Sequence, residues 1–262
     1  MFLKILKYDL KFSYKNLIIF YILALFFAFT GRILSLFDNS GIMLILSKIN
    51  NGIIVTIFIN VLINNLFRVW GRFVLNFYKD ESYLTHTLPV DKNTLYLSKV
   101  VNGIVTMLSS VAVIILSIFI CYYSKSNIEL LKSSIDFITN VYDISVVGFL
   151  LQVFLLILVE FIFILMTGYL GVILGYKSNN NKMIKSLIYG FILYIVSSLF
   201  MLLIVYISGL FNTDIMNLFT SVNMSFGVFK SLIFIVMIVY IVLIVFEYII
   251  GLKEINKGVN ID

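Results

Sequence analysis

The sequence predicts an all-α integral membrane protein with six transmembrane helices and an N-terminal interfacial amphipathic helix. Hydrophobic residues make up 61% of the 262-residue chain and charged residues only 12%, whereas soluble domains carry about 25% charged residues. The mean hydropathy is +1.09. Uncharged stretches such as 100–124 and 186–213 exceed the roughly 20 apolar residues that a membrane span needs. This composition excludes a cytosolic enzyme, a disordered protein and a secreted disulfide scaffold.

Apolar runs between charge clusters predict six spans within one transmembrane domain that covers residues 1–262. Arg32 and Lys48 interrupt two spans near an end, where long basic side chains can reach the headgroups. A further uncharged run, too short to cross the membrane, predicts an outer re-entrant segment at 212–229. The predicted spans are about 16–37, 42–67, 98–123, 144–175, 187–211 and 230–252.

The distribution of basic residues predicts that both termini are cytoplasmic. With the N-terminus inside, fourteen of the nineteen lysines and arginines fall in cytoplasmic segments, which is where short basic loops stay. The even number of spans returns the C-terminus to the same side. The net charge of +6 is then a topology signal and does not indicate nucleic-acid binding. Richness in Ile, Asn, Lys and Phe with few alanines suggests an AT-rich bacterial genome, so the predicted location is a bacterial inner or plasma membrane.

Residues 2–15 form the predicted interfacial helix on the inner leaflet. On a helical projection the lysines at 4, 7, 11 and 15 share an arc of about 80°, opposite a mainly apolar side. Lysines arranged in this way face anionic headgroups. The alternative is a frayed tail whose lysines only set the topology. Asp9 and Ser13 lie on the apolar side and favour this alternative unless they meet a protein partner.

The residue inventory argues against enzymatic and metal chemistry. His86 is the only histidine and Cys121 the only cysteine, so zinc sites of the HExxH or CxxC kind cannot form within one chain. A glycine-rich run differs in spacing from a phosphate-binding loop and ends a span, so it predicts close helix packing through Gly168, Gly171 and Gly175. We therefore expect no catalytic residue, no metal and no cofactor bound by this chain.

Polar residues follow the second half of span two at intervals of four. Asn60, Asn64, Arg68 and Arg72 occupy roughly one helix face, and polar groups at membrane depth avoid lipid. This stripe either lines a wet cavity or serves interhelical hydrogen bonding with ordinary interfacial arginines.

Two carboxylates lie within predicted spans. Glu160 is near the middle of the fourth span and Glu247 near the inner end of the sixth, where an ionised group is expensive and usually buried, paired or protonated. They indicate either a proton or cation relay or structural hydrogen bonding.

The cytoplasmic loop 78–97 between spans two and three is the least membrane-like inside segment. Asp80 is predicted to cap a short helix that runs to about Leu88, and Pro89 to start the helix that becomes span three. A short helix with apolar contacts among charges suits docking into the groove of a partner. Those contacts are Tyr83, Leu84, Thr87 and Leu88.

The loop also carries the pattern D-E-x-Y-L-x-x-T-L-P, followed by a polar stretch and L-S-K at 97–99. This pattern, with the layout of spans, resembles the first cytoplasmic loop of bacterial type-2 ABC exporter permeases, the membrane subunits of ATP-binding-cassette transporters. The resemblance implies the type-2 ABC exporter transmembrane fold and a coupling helix that presses on a separate ATPase. The implied coupling residues are Asp80, Glu81, Tyr83, Leu84, Thr87, Leu88 and Pro89.

The resemblance further implies a translocation path built from two permease subunits, identical or paralogous, chiefly from spans one, two and five. Asn60 and Asn64 would then lie near the central cavity. Two copies of the ATPase subunit would bind ATP and Mg and hydrolyse the ATP, so the chain itself is not expected to be an enzyme. A path this apolar suits a hydrophobic or amphipathic substrate. Our hypothesis is that the substrate is an antimicrobial or toxic peptide. The main alternative is an ion-coupled secondary transporter that uses Glu160 and Glu247, and another is a membrane scaffold or immunity protein.

Overall fold

The computed structural model describes residues 1–37, 41–142, 145–212, 215–217 and 226–258, and every regular element in those ranges is helical. Six of the described helices are long and apolar enough to cross a membrane, which confirms the predicted all-helical architecture and six candidate spans for the part of the chain that the structure describes. Residues 213, 214 and 218–225 of the predicted re-entrant segment lie outside the described ranges. The helices are α1 (Phe2–Ser35), α2 (Gly41–Phe77), α3 (Ser82–Thr87), α4 (Lys92–Tyr122), α5 (Lys125–Tyr142), α6 (Val146–Gly175), α7 (Lys182–Phe211) and α8 (Phe226–Asn256).

The chain divides into two compact units, with the boundary inside α5. Unit 1 comprises residues 1–128 and unit 2 residues 129–260, apart from single residues at the C-terminus. In unit 1, α1 packs on α2 and α4, α2 also packs on α4, and α3 packs on α2. In unit 2, α6 packs on both α7 and α8.

Helix α1 is continuous from Phe2 to Ser35, so the predicted surface helix and the first span form one rod. Its 34 residues measure about 51 Å, more than the roughly 30 Å of hydrocarbon in a bilayer. No proline interrupts the rod, and one buried face runs along its length from Asp9 to Gly31 at intervals of three and four residues. Burial of that single face keeps residues 2–15 in line with the span.

Three long-range contacts define the packing in unit 1. Helix α1 runs parallel to α4, because Asp9 contacts Lys99 near the start of both helices and Tyr21 contacts Ser110 further along. It runs antiparallel to α2, because Asp9 also contacts Arg72 near the end of that helix. The three helices therefore form a bundle in which the first residues of α1 and α4 meet the last residues of α2.

Two sequence-based predictions about the loop need correction. The N-cap position of α3 is Glu81 and not Asp80, and no side chain caps the helix. Pro89 lies in a bend, and α4 begins three residues later, where Asp91 caps it by accepting a hydrogen bond from Thr94 N at 3.1 Å. A cap side chain satisfies a backbone N–H that has no intrahelical partner, so Asp91 provides the start signal that the proline was expected to give.

Unit 2 repeats this connectivity with different contacts. Helix α6 runs parallel to α8, since Phe163 stacks on Tyr240 and Thr167 hydrogen-bonds Glu247. Between α6 and α7 the backbones nearly touch, because a Cβ added at Gly171 would lie 2.7 Å from Gly190 Cα. A Cβ at Gly175 would collide with Ser186 of α7. The prediction of close helix packing is thus confirmed for Gly171 and Gly175.

Candidate functional site

The exposed face of α1 changes from basic to apolar part-way along the helix. Its first half presents the lysines at 4, 7, 11 and 15, and its second half presents Ile18, Ile22, Phe26, Phe29 and Ile33 on the same line. Lysine side chains are favoured in water or at the lipid headgroups, whereas exposed isoleucine and phenylalanine side chains are favoured in hydrocarbon. We call the part before this change, together with the segments packed on it, the basic end of unit 1. It comprises residues 2–15, 68–77, α3 and 92–103.

A closed circuit of polar side chains, the polar ring, joins the segments of the basic end. Asp9 of α1 accepts from Lys99 Nζ of α4 at 2.6 Å and from Arg72 Nε of α2 at 3.2 Å. Glu81 accepts from Arg72 Nη1 at 2.7 Å and from Asn76 Nδ2 at 2.6 Å. Lys99 Nζ also donates to Asn76 Oδ1, and this contact closes the circuit.

The polar ring is neutral and mostly buried. Its two carboxylates balance its two cations, and the residue exposures of Asp9 and Lys99 are 1% and 3%. Buried ions are tolerated when they are paired and hydrogen-bonded, which both are here. Arg72 gains a further contact, because its guanidinium lies 4.3 Å from the centroid of the Phe12 ring. The side chain of Glu81 is 43% exposed and forms the outer corner of the ring.

Helix α3 presents two apolar side chains outward from the basic end. Tyr83 and Leu84 are each 72% exposed, while Ser82 and Thr85 face inward and are buried. Several contacts hold the helix on α2. Glu81 lies within the polar ring and also donates its backbone N–H to Leu75 O at 3.2 Å, and the His86 ring packs edge-on against Phe77 and contacts Phe77 O. An exposed apolar pair on a braced helix outside the apolar part of the bundle is typical of a docking surface.

The residues assigned to coupling from the sequence thus separate by environment. Glu81 lies in the polar ring and contacts its own chain. The remaining six are exposed: Asp80, Tyr83, Leu84, Thr87, Leu88 and Pro89.

Helix α2 carries the two asparagines that were assigned to a translocation path, of which Asn60 is exposed and Asn64 half-buried. Asn60 Nδ2 donates to Thr56 O at 2.9 Å, and Asn64 Nδ2 donates to Asn60 O at 2.9 Å. Each amide nitrogen therefore bonds a backbone carbonyl of its own helix. Further along the helix, Arg68 and Arg72 turn instead toward Phe12 of α1, so the four-residue stripe has two different surroundings.

The two intramembrane carboxylates also differ in their surroundings. Glu247 is 3% exposed and lies against α6, where the Thr167 hydroxyl is 2.9 Å from one carboxylate oxygen and 3.1 Å from the other. Glu160 is half-buried and close enough to Tyr240 for their side chains to interact electrostatically. Within the described ranges neither carboxylate forms an ion pair with a cationic residue.

Sequence reasoning missed the ring roles of Asp9, Asn76 and Lys99. Asp9 was visible as a charge on the apolar side of an amphipathic helix, and the protein partner that it needs there is in the same chain. Lys99 was used as a topology signal and as the end of the loop pattern, and not as a buried partner. A polar line on α4 that starts at Lys99 and continues through Asn102, Thr106 and Ser110 could have marked this face as buried in protein.

Comparisons of the chain with protein-family models, with curated proteins and with solved structures find no match.

Proposed function

We propose that this chain is the permease subunit of an ATP-driven exporter of the type-2 ABC class. In this proposal it resides in a bacterial cell membrane with both termini in the cytoplasm and pairs with a second permease, identical or paralogous. Two copies of a separate ATPase subunit bind ATP and Mg and press on α3. Closure of the ATPases moves α3 as a lever, and the spans reorient from inward to outward access.

The observation that carries this proposal is the exposed pair Tyr83 and Leu84 on a short helix braced at the basic end. Six residues are too few for a stable isolated helix, so α3 needs its contacts to α2 to keep its shape. A braced helix can transmit a push, whereas a loose loop would absorb it. The apolar tips offer the partner a site that excludes water.

The two asparagines of α2 support a path between two permeases. Asn60 is exposed and Asn64 half-buried, and both lie among exposed isoleucines such as Ile59 and Ile63. Such amide groups are better solvated by a wet cavity or a protein partner than by lipid. A mainly apolar path with a few amides suits a hydrophobic or amphipathic cargo, and we propose an antimicrobial or toxic peptide.

Co-purification of the tagged full-length chain in detergent tests the proposal directly. Tyr83→Ala/Leu84→Ala should abolish recovery of an ATPase with the chain, with the apparent melting temperature unchanged because both side chains are exposed. Tyr8→Ala is the matched control, since Tyr8 is 69% exposed at the same basic end and lies on α1. Equal ATPase recovery from the double variant and from the control would overturn the proposal.

Burial of Glu247 favours one alternative function, an ion-coupled secondary transporter. A carboxylate 3% exposed and bound by a neutral hydroxyl could exchange a proton or cation during transport. Under this alternative Glu247→Gln or Glu160→Gln abolishes transport and no ATPase accompanies the chain. Under the permease proposal the same substitutions leave transport intact and change only stability.

A further inference from the structure

The most deeply buried part of the polar ring is the Asp9–Lys99 pair, which lies on the side opposite α3. The two side chains come from residues 90 positions apart and connect the first turns of α1 to the first turns of α4. Neither contacts α3 directly through the hydrogen bonds of the ring. The pair can therefore act on α3 only indirectly.

The ring connects the Asp9–Lys99 pair to α3 through two parallel routes of hydrogen bonds. Glu81, the residue that immediately precedes α3, has both carboxylate oxygens bound by α2, one by Arg72 and one by Asn76. Arg72 is oriented in turn by Asp9, and the Asn76 amide by Lys99. The Lys99–Asp9 contact then ties the two routes together.

We propose that Asp9 and Lys99 are positioning residues that fix α3 relative to α1 and α4. A displacement of α3 then moves the three long helices of unit 1 as one body. The role of an ATPase in producing that displacement rests on the proposed function, whereas the fixing of α3 rests on the ring geometry alone.

The physical basis is directional bonding. Hydrogen bonds weaken steeply when donor and acceptor separate or their angle falls below about 120°, so a closed ring resists both sliding and rotation of α3. Apolar contacts alone tolerate small sliding movements, because dispersion attraction has little directionality.

The most informative variant removes the Asp9–Lys99 pair while the net charge of the ring stays at zero. Lys99→Met leaves the ring with one excess negative charge, and Asp9→Asn leaves one excess positive charge. The double variant Asp9→Asn/Lys99→Met is neutral again and retains the Arg72–Glu81 pair, yet the ionic tie between α1 and α4 is gone. Ser13→Ala is the matched control, because Asn102 Nδ2 donates to Ser13 Oγ at 3.2 Å between the same two helices without belonging to the ring.

The first readout is ATP hydrolysis by the co-purified complex relative to the ATPase alone. We expect the double variant to recover a melting temperature near that of the parent while the stimulation of hydrolysis falls about tenfold, within the 5–150-fold range of typical coupling free energies. Ser13→Ala should keep both the melting temperature and the stimulation of hydrolysis of the parent. If stimulation returns together with the melting temperature in the double variant, the pair is merely structural and the inference is overturned.

The second readout needs no ATPase. Spin labels at Lys11→Cys and Thr87→Cys, both exposed sites, report the α1–α3 distance in a Cys121→Ala background. The parent and Ser13→Ala should give one narrow distribution and the double variant a broad one. A narrow, unshifted distribution in the double variant overturns the inference. If no ATPase accompanies any variant, the proposed function fails while this distance still decides the role of the ring.

Discussion

The two units have the same internal connectivity but place polar groups differently between their first and third long helices. In unit 1, α1 and α4 meet through Asp9 and Lys99, which belong to a neutral ring of two carboxylates and two cations. In unit 2, α6 and α8 meet through Thr167 and Glu247, where a single carboxylate lies against a hydroxyl. The charges of the ring cancel, whereas within the described residues no cation balances the Glu247 carboxylate.

The position of each group along its unit explains the difference. The ring lies at the basic end, where α1 exposes the lysines at 4, 7, 11 and 15. Glu247 lies between Phe246 and Ile249, which are 60% and 56% exposed and suit hydrocarbon. A network of several ions can be maintained next to water, while an ion inside the membrane is rare and costly.

The largest effect should follow from breaking the ring. Lys99→Met leaves Asp9 buried with one cation fewer, and we expect a loss of about 3–5 kcal/mol in the free energy of unfolding, as for other buried pairs that lose one partner. Thermal unfolding in detergent measures it. Lys11→Met, at an exposed position of α1, is the control and should change little. Equal melting temperatures for the two variants would mean that the ring contributes no stability.

The next effect concerns packing in unit 2, which depends on backbone approach and not on ions. Gly171→Ala places a Cβ 2.7 Å from Gly190 Cα, so α6 and α7 must separate, at a cost of about 1–3 kcal/mol. Gly190→Ala adds its methyl group where nothing lies within 4 Å. This control should be neutral or stabilising by about 0.5–1 kcal/mol, because alanine is the better helix former. Similar melting temperatures for the two variants would contradict the close approach.

A smaller effect is expected at Glu247. Glu247→Gln keeps an oxygen acceptor for Thr167 and removes the uncompensated charge, so stability should change by about 1 kcal/mol or less. Thr167→Val instead leaves the carboxylate buried without its donor and should cost about 1–3 kcal/mol. The melting temperature of Thr167→Val should therefore lie below that of Glu247→Gln. The reverse order would show that the charge of Glu247 is itself stabilising.

The smallest effect should be the pH dependence of the α4 cap. Hydrogen bonds from the Thr94 side chain and backbone hold the pKa of Asp91 below its ordinary value. A carboxyl group whose pKa is lower in the folded state stabilises that state above the unfolded pKa, and this contribution disappears as the pH falls through the folded pKa. Asp91→Asn should remove that part of the acid dependence of the melting temperature. An unchanged acid profile would exclude a role for the cap.

The exposed side of each helix could be read from the sequence more fully than the buried side. The lysines at 4, 7, 11 and 15 and the apolar residues that continue their line on α1 are local patterns, and the structure keeps them. Glu81 shows the limit, because a carboxylate next to a short helix suggests a partner contact as readily as an internal one. Only the approach of Arg72 and Asn76 distinguishes the two.

Composition and hydrophobic periodicity by themselves determined that this chain is helical with six membrane-compatible spans, because the bilayer imposes length and apolarity on every span separately. The tertiary structure alone decided that α1 is one rod, that Asp9 pairs with Lys99, and that α3 is braced on α2. The pairing of Asp9 with Lys99 joins residues 90 positions apart, and the bracing of α3 depends on which side chains approach it from the preceding helix, so no local pattern encodes the free energy of either.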